Sequence, residues 1–213
     1  MNFIETHVAE YLNNTHSGRD VEDDVLEEME HRAKDLDFPI VGRTVGSFFE
    51  LIAKTVGATR VFEMGSGYGY SAYWYARAVG EGGKVTLTDG DPANVRMAQA
   101  NLEAAGLASR CDFRVGDAIE SLESTEGQFD IVYCDIDKQD YPRAFLTARD
   151  KVRPGGLYIC DNVLWSGRVA SDQEQDDLTR AIREHNELIV SDPHFASSIV
   201  PLRDGVMVAL RIR

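Results

Sequence analysis

The chain has 213 residues, of which 43% are hydrophobic and 27% are charged, and this composition excludes wholesale disorder and a coiled coil. Its length fits one α/β domain, residues 1–213, better than two. No stretch approaches the ~18 apolar residues that a membrane helix needs, and the first residues lack the basic-then-apolar pattern of a secretory signal. We therefore expect a cytoplasmic protein without membrane contact.

The charge balance is strongly acidic. The 36 aspartates and glutamates outnumber the 22 lysines and arginines, which gives a formal net charge of -14. Salt screens the self-repulsion of such a surface, and abundant aspartate with few lysines is typical of halophilic proteins. An ordinary acidic enzyme is the alternative. Nucleic acid is not an expected partner, because phosphate binding relies on lysine and arginine patches.

The three cysteines, Cys111, Cys134 and Cys160, indicate neither a disulfide framework nor a zinc site. Their number is odd, and no Cys-x-x-Cys pair occurs. Cys134 and Cys160 stand inside apolar, strand-like runs, so we expect small buried thiols.

Residues 1–56 are predicted to form a helical cap. An acidic stretch covers residues 20–30, and the charged positions there indicate a solvated helix face. The apolar positions on the other face are Val21, Val25, Leu26 and Met29. Pro39 ends this first helix. A second helix has apolar residues at helical spacing from Val45 to Val56 and stops near Gly57.

Residues 57–213 are predicted to form the α/β core. Five apolar segments are expected to be strands: 60–64, 84–88, 111–115, 129–134 and 157–160. Helical patterns follow them in chain order: 71–79, 91–105, a short helix after 117, 141–152 and 172–187. Strands that alternate with helices predict a parallel sheet with helices on both faces.

Two further segments complete the predicted core. Residues 153–156 are expected to form a turn, and the tail from residue 197 to 212 an antiparallel hairpin that turns at Asp204-Gly205. The hairpin brings the number of predicted strands to seven. Ligands of such sheets bind beyond the carboxyl ends of the strands, so the polar residues that follow each strand are the candidates for chemistry.

Glycines follow the first strand at Gly65, Gly67 and Gly69. This Gly-x-Gly-x-Gly spacing differs from the Gly-x-Gly-x-x-Gly pattern that cradles a dinucleotide pyrophosphate. Glu63 precedes the glycines, and its carboxylate would repel a pyrophosphate but suit an ammonium group. A simple tight turn is the alternative.

Acids also follow the second and third strands. Asp89 is placed to accept hydrogen bonds from both hydroxyls of a ribose, and Gly116-Asp117 is placed to reach an adenine edge. Helix capping, by Asp91 before Pro92 and by Asp117, is the alternative. Together with Glu63, these residues indicate S-adenosylmethionine, which carries an ammonium, a sulfonium and a ribose but no phosphate.

The fourth and fifth strands end in polar residues as well. Asp135, Asp161 and Asn162 should converge at the sheet edge as oxygen ligands that suit Mg²⁺ better than zinc. Lys138 lies nearby, and a divalent ion together with burial should lower its pKa and make it a general base. The alternatives are solvated or capping acids and a surface lysine.

Three stretches resemble the cation-dependent O-methyltransferase family, which includes catechol O-methyltransferase and the caffeoyl-coenzyme A O-methyltransferases. The stretches are Glu63-Met64-Gly65-Ser66-Gly67-Tyr68-Gly69-Tyr70-Ser71, Asp135-Ile136-Asp137-Lys138 and Asp161-Asn162-Val163-Leu164-Trp165-Ser166-Gly167-Arg168. The resemblance extends from about residue 39 to residue 213. It implies a Rossmann-like class I methyltransferase fold, with a seven-stranded, mostly parallel sheet that ends in an antiparallel hairpin.

The resemblance also implies roles for individual residues. Asp135, Asp161 and Asn162 would bind the metal, with Asp135 and Lys138 in catalysis and Lys138 as the base. Trp165 would line the acceptor pocket, although simple packing is the alternative. The residues implied to contact the methyl donor are Val41, Glu63, Gly65, Gly67, Ser71, Asp89, Asp117 and Asp135.

The activity implied is transfer of a methyl group from S-adenosylmethionine to a hydroxyl of a small aromatic vicinal diol, with Mg²⁺ or another divalent cation, by an enzyme that forms a homodimer. Methylation of a hydroxylated RNA base and a non-catalytic S-adenosylmethionine-binding module are the alternatives. The glycine spacing and Glu63 argue against a nicotinamide oxidoreductase.

Overall fold

The computed structural model describes residues 5, 7–8, 11–12, 15 and 24–213. Between residue 24 and the sheet lie two helices, α1 (Asp24–Asp35) and α2 (Gly42–Thr55). The described residues 7, 8, 11, 12 and 15 are helical as well. Leu26 and Met29 are buried, as the helical spacing predicted. Val21, which was placed on the same face, lies outside the described residues, as does the start of the acidic stretch.

In this part of the chain seven strands form one sheet. They are β1 (Arg60–Met64), β2 (Lys84–Asp89), β3 (Cys111–Val115), β4 (Phe129–Cys134), β5 (Val152–Cys160), β6 (Phe195–Val200) and β7 (Val206–Arg211). Their order across the sheet is β3-β2-β1-β4-β5-β7-β6. The first five are parallel, and β7 is antiparallel to both of its neighbours. The predicted sheet and its C-terminal hairpin are confirmed.

Helices cover both faces of this sheet. Those that follow α2 are α3 (Tyr70–Ala78), α4 (Pro92–Ala104), α5 (Ala118–Ser124), α6 (Tyr141–Lys151) and α7 (Asp177–Ser191). Successive strand residues point to opposite faces, so that Val61 packs with α1–α4 and Phe62 with α5–α7. Cys111, Cys134 and Cys160 are free and buried, as expected. None of the helices in the described ranges is long and apolar enough to cross a membrane.

Two predicted segments differ from the structure. The expected turn at residues 153–156 is a bulge within β5, because Val152 pairs with Phe129 while Leu157 pairs with Ile131. The last helix begins at Asp177 instead of residue 172. Its N-cap is Asp176, whose side chain accepts a hydrogen bond from the main-chain N–H of Thr179 at 3.1 Å. Several aspartates precede this helix, and sequence alone does not tell which of them caps it.

Hydrogen bonds beyond the strand ends hold the site loops together. The N–H of Asp135 donates to the carbonyl of Met64 at 2.9 Å, and the N–H of Asp161 donates to that of Cys134 at 3.2 Å. The N–H of Ser66 donates to the carbonyl of Thr88 at 2.9 Å. The loops after β1, β4 and β5 therefore continue the sheet's ladder and leave it at the same edge.

Hydrogen bonds attach helix α1 to the glycine-rich loop. Glu30 accepts two hydrogen bonds from Nε of Arg43, at 2.8 and 3.1 Å, and one from the hydroxyl of Tyr70 at 2.7 Å. The hydroxyl of Tyr68 donates to the carbonyl of Met29 at 3.0 Å. These contacts fix the two loop tyrosines that face α1.

Candidate active site

A cleft of about 620 Å³ opens at the carboxyl edge of the sheet. Its walls come from residues 38–41 before α2, from the glycine-rich loop, and from the loops that follow β2, β3 and β4. Nine predicted site residues line it: Val41, Gly65, Gly67, Ser71, Asp89, Asp117, Asp135, Lys138 and Trp165. Glu63, Asp161 and Asn162 are not among the lining residues.

The glycine-rich loop borders the cleft and presses against the neighbouring loop. Gly65 has φ +82°, and a Cβ at this position would overlap the main-chain carbonyl of Asp135. Gly67 has φ +51°, and its N–H donates to Oδ2 of Asp89 at 2.9 Å. Only glycine combines this backbone conformation with so close an approach. The loop therefore packs directly against the backbone that follows β4.

Glu63 lies behind this loop and is fully buried. One carboxylate oxygen accepts a hydrogen bond from the hydroxyl of Ser71, and the other has no partner among the described residues. Burial raises the pKa of Glu63 to about 8, and the nearby charges of Asp135 and Asp89 act in the same direction. Ser71 separates this carboxyl group from the cleft.

Asp89 is half-buried and accepts hydrogen bonds from three neighbouring residues. Besides Gly67, it accepts hydrogen bonds from the N–H of Asp91 at 2.8 Å and from the side chain of Asn94 at 3.1 Å. Asp91 caps α4 through the N–H of Ala93 at 2.7 Å, which confirms the capping alternative for this residue.

Asp117 is exposed and is the N-cap of α5. Its Oδ1 accepts a hydrogen bond from the N–H of Glu120 at 2.8 Å. Asp117 thus caps α5 and also lines the cleft.

Val41 lies at the opposite wall, at the N-terminus of α2. It is buried, and its own side chain does not cap the helix. The free N–H groups of a helix N-terminus carry a partial positive charge that favours an anionic group.

Lys138 lies where the loop after β4 borders the cleft, and this part of the cleft is called the deep end below. Its Nζ donates to Oδ1 of Asp135 and to Oδ1 of Asn162, both at 3.0 Å. It also donates to the hydroxyl of Tyr141 at 2.7 Å and to the carbonyl of Ile136 at 3.2 Å. The lysine side chain is 14% exposed. Two of the three predicted metal ligands thus converge on one atom.

Asp161, the third predicted ligand, is 3% exposed. Its Oδ1 has no hydrogen-bond partner among the described residues. Burial raises the pKa of Asp161 to about 7, and the charge of Asp135 adds to this effect. No group of three or more His, Cys, Asp and Glu side chains suited to a metal occurs in the described ranges, and the predicted set consists of two carboxylates and one amide.

The predicted lowering of the Lys138 pKa presupposes a bound divalent cation and stays a prediction. Burial does lower the pKa of Lys138, but attraction and hydrogen bonding to Asp135 outweigh burial and raise the pKa above its ordinary value. The prediction counted a cation and burial but not this ion pair.

Trp165 lies in an unusual backbone segment at the cleft. Positive φ angles occur at Asn162 (+57°), Trp165 (+48°) and Ser166 (+52°). Such non-glycine conformations persist only where the surroundings hold them. Here the turn before β7 does so, because the N–H groups of Leu164 and Ser166 both donate to Asp204. The indole Nε1 of Trp165 is buried without a partner among the described residues.

Sequence reasoning missed several residues of the site. Those that line the cleft include Phe38, Ile136, Gln139, Asp140 and Leu178. Tyr141, which contacts Lys138 from below, was missed as well. Gln139 and Asp140 directly follow Lys138, so the loop's length was a usable signal. No local pattern marks Phe38 or Leu178, which reach the cleft from distant parts of the chain.

The chain is similar to known methyltransferases over nearly its whole length. A family model described as O-methyltransferase matches residues 15–212. A catechol O-methyltransferase from Niastella koreensis is 31% identical over 174 residues, which cover 78% of this chain and 79% of that protein. Tricin synthase 1 from Oryza sativa subsp. japonica is 33% identical over 177 residues, 76% of this chain and 70% of that protein.

A solved structure extends the similarity to three dimensions. The O-methyltransferase from Bacillus cereus, in complex with SAH, superimposes with a TM-score of 0.87 at 30% identity and covers 97% of both chains. The fold is therefore that of the class I methyltransferases. Sequence, family model and fold agree, and the chain belongs to the O-methyltransferase family of enzymes.

Proposed function

We propose that this protein transfers the methyl group of S-adenosylmethionine to a hydroxyl of a small catechol-like acceptor, with a divalent cation held by Asp135, Asp161 and Asn162. The observation that carries the proposal is the convergence of Asp135 and Asn162 on Lys138 Nζ, at 3.0 Å each, at the deep end of the cleft. The catechol O-methyltransferase and the SAH complex among the similar proteins support it.

The donor would occupy the half of the cleft beside the glycine-rich loop. The N-terminus of α2 at Val41 suits the donor's carboxylate, and the buried pair of Glu63 and Ser71 suits its ammonium. Asp89 suits the ribose hydroxyls and Asp117 the adenine edge. SAH is the product that S-adenosylmethionine becomes when it loses its methyl group.

The residues at the deep end fit a divalent cation. Asp135, Asp161 and Asn162 supply oxygen donors, which are the ligands that Mg²⁺ prefers. Asp161 has a buried oxygen that lacks a hydrogen-bond partner among the described residues. The negative charges of Asp135 and Asp161 repel each other, and a cation bound between them would relieve this repulsion. A bound divalent cation lowers the pKa of a coordinated hydroxyl and orients neighbouring oxygens.

Lys138 is the residue placed to hold or take a proton. Its Nζ is fixed by Asp135 and Asn162 beside the cleft, where it would receive the proton of the acceptor hydroxyl. In its resting ion pair the lysine is protonated, so the ammonium must first pass one proton to water in the cleft before Nζ can accept the proton of the acceptor hydroxyl. The acceptor oxygen would then attack the sulfonium methyl in line, and the protein's contribution is to position the two reactants.

The acceptor would lie between Lys138 and the apolar wall formed by Trp165 and Leu178, both of which line the cleft. An aromatic ring suits this wall, and two adjacent oxygens suit a cation site with open positions. This end of the cleft therefore favours an aromatic vicinal diol over a simple phenol.

The test is transfer of labelled methyl from S-adenosylmethionine to a series of aromatic vicinal diols, each matched with the corresponding monophenol. Reactions run in molar KCl with Mg²⁺ or with EDTA. We expect transfer to the diols that EDTA abolishes and Mg²⁺ restores. Transfer that is indifferent to EDTA would contradict the cation role. Absence of transfer to every diol, with donor binding intact, would contradict the acceptor class.

A further inference from the structure

Tyr141 connects Lys138 to the end of β5. This tyrosine is the first residue of α6 and its side chain is fully buried. Its hydroxyl lies 2.7 Å from Nζ of Lys138 and 2.9 Å from the main-chain carbonyl oxygen of Asp161. The bond to Lys138 is the shortest of the four that Nζ makes to the described residues.

The directions of these two hydrogen bonds follow from the chemistry of the groups. A carbonyl oxygen only accepts, so the single phenol proton of Tyr141 is committed to Asp161. The phenol oxygen therefore faces Lys138 as an acceptor, and the ammonium donates to it. Lys138 thus has a buried neutral acceptor in addition to Asp135 and Asn162.

We propose that Tyr141 is a positioning residue, whose hydroxyl fixes Nζ of Lys138 between Asp135 and Asn162. The inference rests on the proposed function, in which Lys138 handles the acceptor's proton. A lysine side chain is long and flexible, and only a set of acceptors on several sides holds its ammonium at one point. Tyr141 completes that set from the protein interior, and Asp161 orients Tyr141 in turn.

A purely structural role for Tyr141 is the alternative. Its ring packs in an apolar cluster, with its centroid 5.1 Å from that of the buried His185. Phenylalanine would preserve this packing and remove only the hydroxyl. Tyr158 provides a matched control, because it is fully buried in the same cluster and its hydroxyl bonds to Nε2 of His185 at 3.0 Å. Tyr158 does not contact Lys138 in any hydrogen bond of the structure.

The kinetic test compares Tyr141→Phe with Tyr158→Phe. We expect Tyr141→Phe to lower kcat by about 10-fold or more, with the donor KM unchanged, because a hydrogen bond to a charged group is lost in the step that needs it. Tyr158→Phe should keep kcat near that of the wild type. An unchanged kcat in Tyr141→Phe, or an equal loss in both variants, would overturn the inference.

A spectroscopic test is independent of methyl transfer. The chain has only five lysines, so ¹⁵Nζ labelling gives few signals, and Lys138→Met identifies that of Lys138. The Lys138 signal should shift or broaden in Tyr141→Phe and persist in Tyr158→Phe. In the wild type, a nuclear Overhauser contact should join its ammonium protons to the Tyr141 ring, and this arm does not depend on a variant that folds.

The two proposals fail in different ways. A wild type that transfers no methyl group would contradict the proposed function, and the spectra would still decide the role of Tyr141. A missing contact between the Lys138 ammonium and the Tyr141 ring would overturn the positioning role, even in an active enzyme.

Discussion

The hydroxyl of Ser71 donates a hydrogen bond to Glu63 beneath the glycine-rich loop, and the second oxygen of Glu63 has no partner in the described part of the chain. Burial raises the pKa of this carboxyl group to about 8. Below that pH the free protein holds it mostly protonated. An incoming ammonium group favours the ionised form, so donor binding and proton release are coupled at this position.

Donor binding at pH 7 should therefore release about one proton from Glu63. Calorimetry in buffers of different ionisation enthalpy measures this release. The release should vanish in Glu63→Gln and persist in Glu50→Gln, which alters a glutamate that is paired with Lys54 on α2. Equal release from the wild type and Glu63→Gln would contradict the assignment.

Replacement of Lys138 by methionine should lower kcat by about 100-fold or more, the usual scale for a proton-transferring side chain. Donor affinity should stay unchanged, because Lys138 lies at the other end of the cleft. The control is Lys151→Met, since Lys151 donates only to the carbonyls of Glu123 and Thr125 in the described structure. Turnover that survives in Lys138→Met would remove this residue from the mechanism.

Asp161→Asn should abolish the response of activity to Mg²⁺ and weaken Mn²⁺ binding by at least ~100-fold, the upper cost of losing even a supporting group around a metal. Without metal the variant should melt at a higher temperature, because a buried negative charge beside Asp135 is gone. Asp130→Asn is the control. Asp130 lies at the far end of β4, where it binds Arg153 and the N–H groups of Thr59 and Arg60. It should lose stability but keep its Mg²⁺ titration, and an unaltered titration in Asp161→Asn would refute the ligand role.

Arg183 lies on α7 and holds the loop that follows Trp165 through hydrogen bonds. Its guanidinium donates to the carbonyls of four loop residues: Arg168, Val169, Ser171 and Glu174. Lysine cannot reproduce this fork, so Arg183→Lys should raise the acceptor KM by about 10-fold while donor affinity stays constant. Arg180→Lys, on the exposed part of the same helix, is the control. A parallel loss of donor affinity would show that Arg183 supports the whole fold instead.

His185 should make stability depend on pH. Burial lowers the pKa of His185 from 6.5 to about 4, so between these values the unfolded chain binds more protons than the folded one. Stability is therefore lost as the pH falls through this range, by up to about 3 kcal/mol. Urea unfolding at stepped pH should give a flatter profile for His185→Gln than for the wild type. Identical profiles would show that folding does not lower the pKa of His185.

The strands were predictable because local chemistry decides them. The bounds of β1, β3 and β4 match the predicted segments, since each is a short apolar run between turn residues. Residues 153–156 were predicted as a turn because Pro154, Gly155 and Gly156 are typical of turns. In the structure they form a bulge, because β5 pairs with β4 on both sides of them. Pairing is a property of two strands, and one segment does not reveal it.

The site was predictable in its composition but not in its electrostatics. Parallel strand ends share one edge, so Asp135, Asn162 and Lys138 were expected to meet. The sign of the Lys138 pKa shift depends on the Asp135 carboxylate lying within hydrogen-bond distance of Nζ, and that follows from side-chain positions that the sequence does not give. Tyr141 was missed for the same reason, because its hydroxyl acquires a role only once α6 packs under β5.

Gly65 and Asp135 share a contact with no room for even one additional carbon atom. A movement of the loop after β1 towards β4 therefore has to move the backbone that carries Asp135. If a ligand beside this loop alters the affinity for an ion at Asp135, the ion alters the affinity for that ligand by the same factor. The order in which the ligand beside the loop and the ion at Asp135 bind then changes the sequence of binding steps. It does not change the free energy of the protein with both bound.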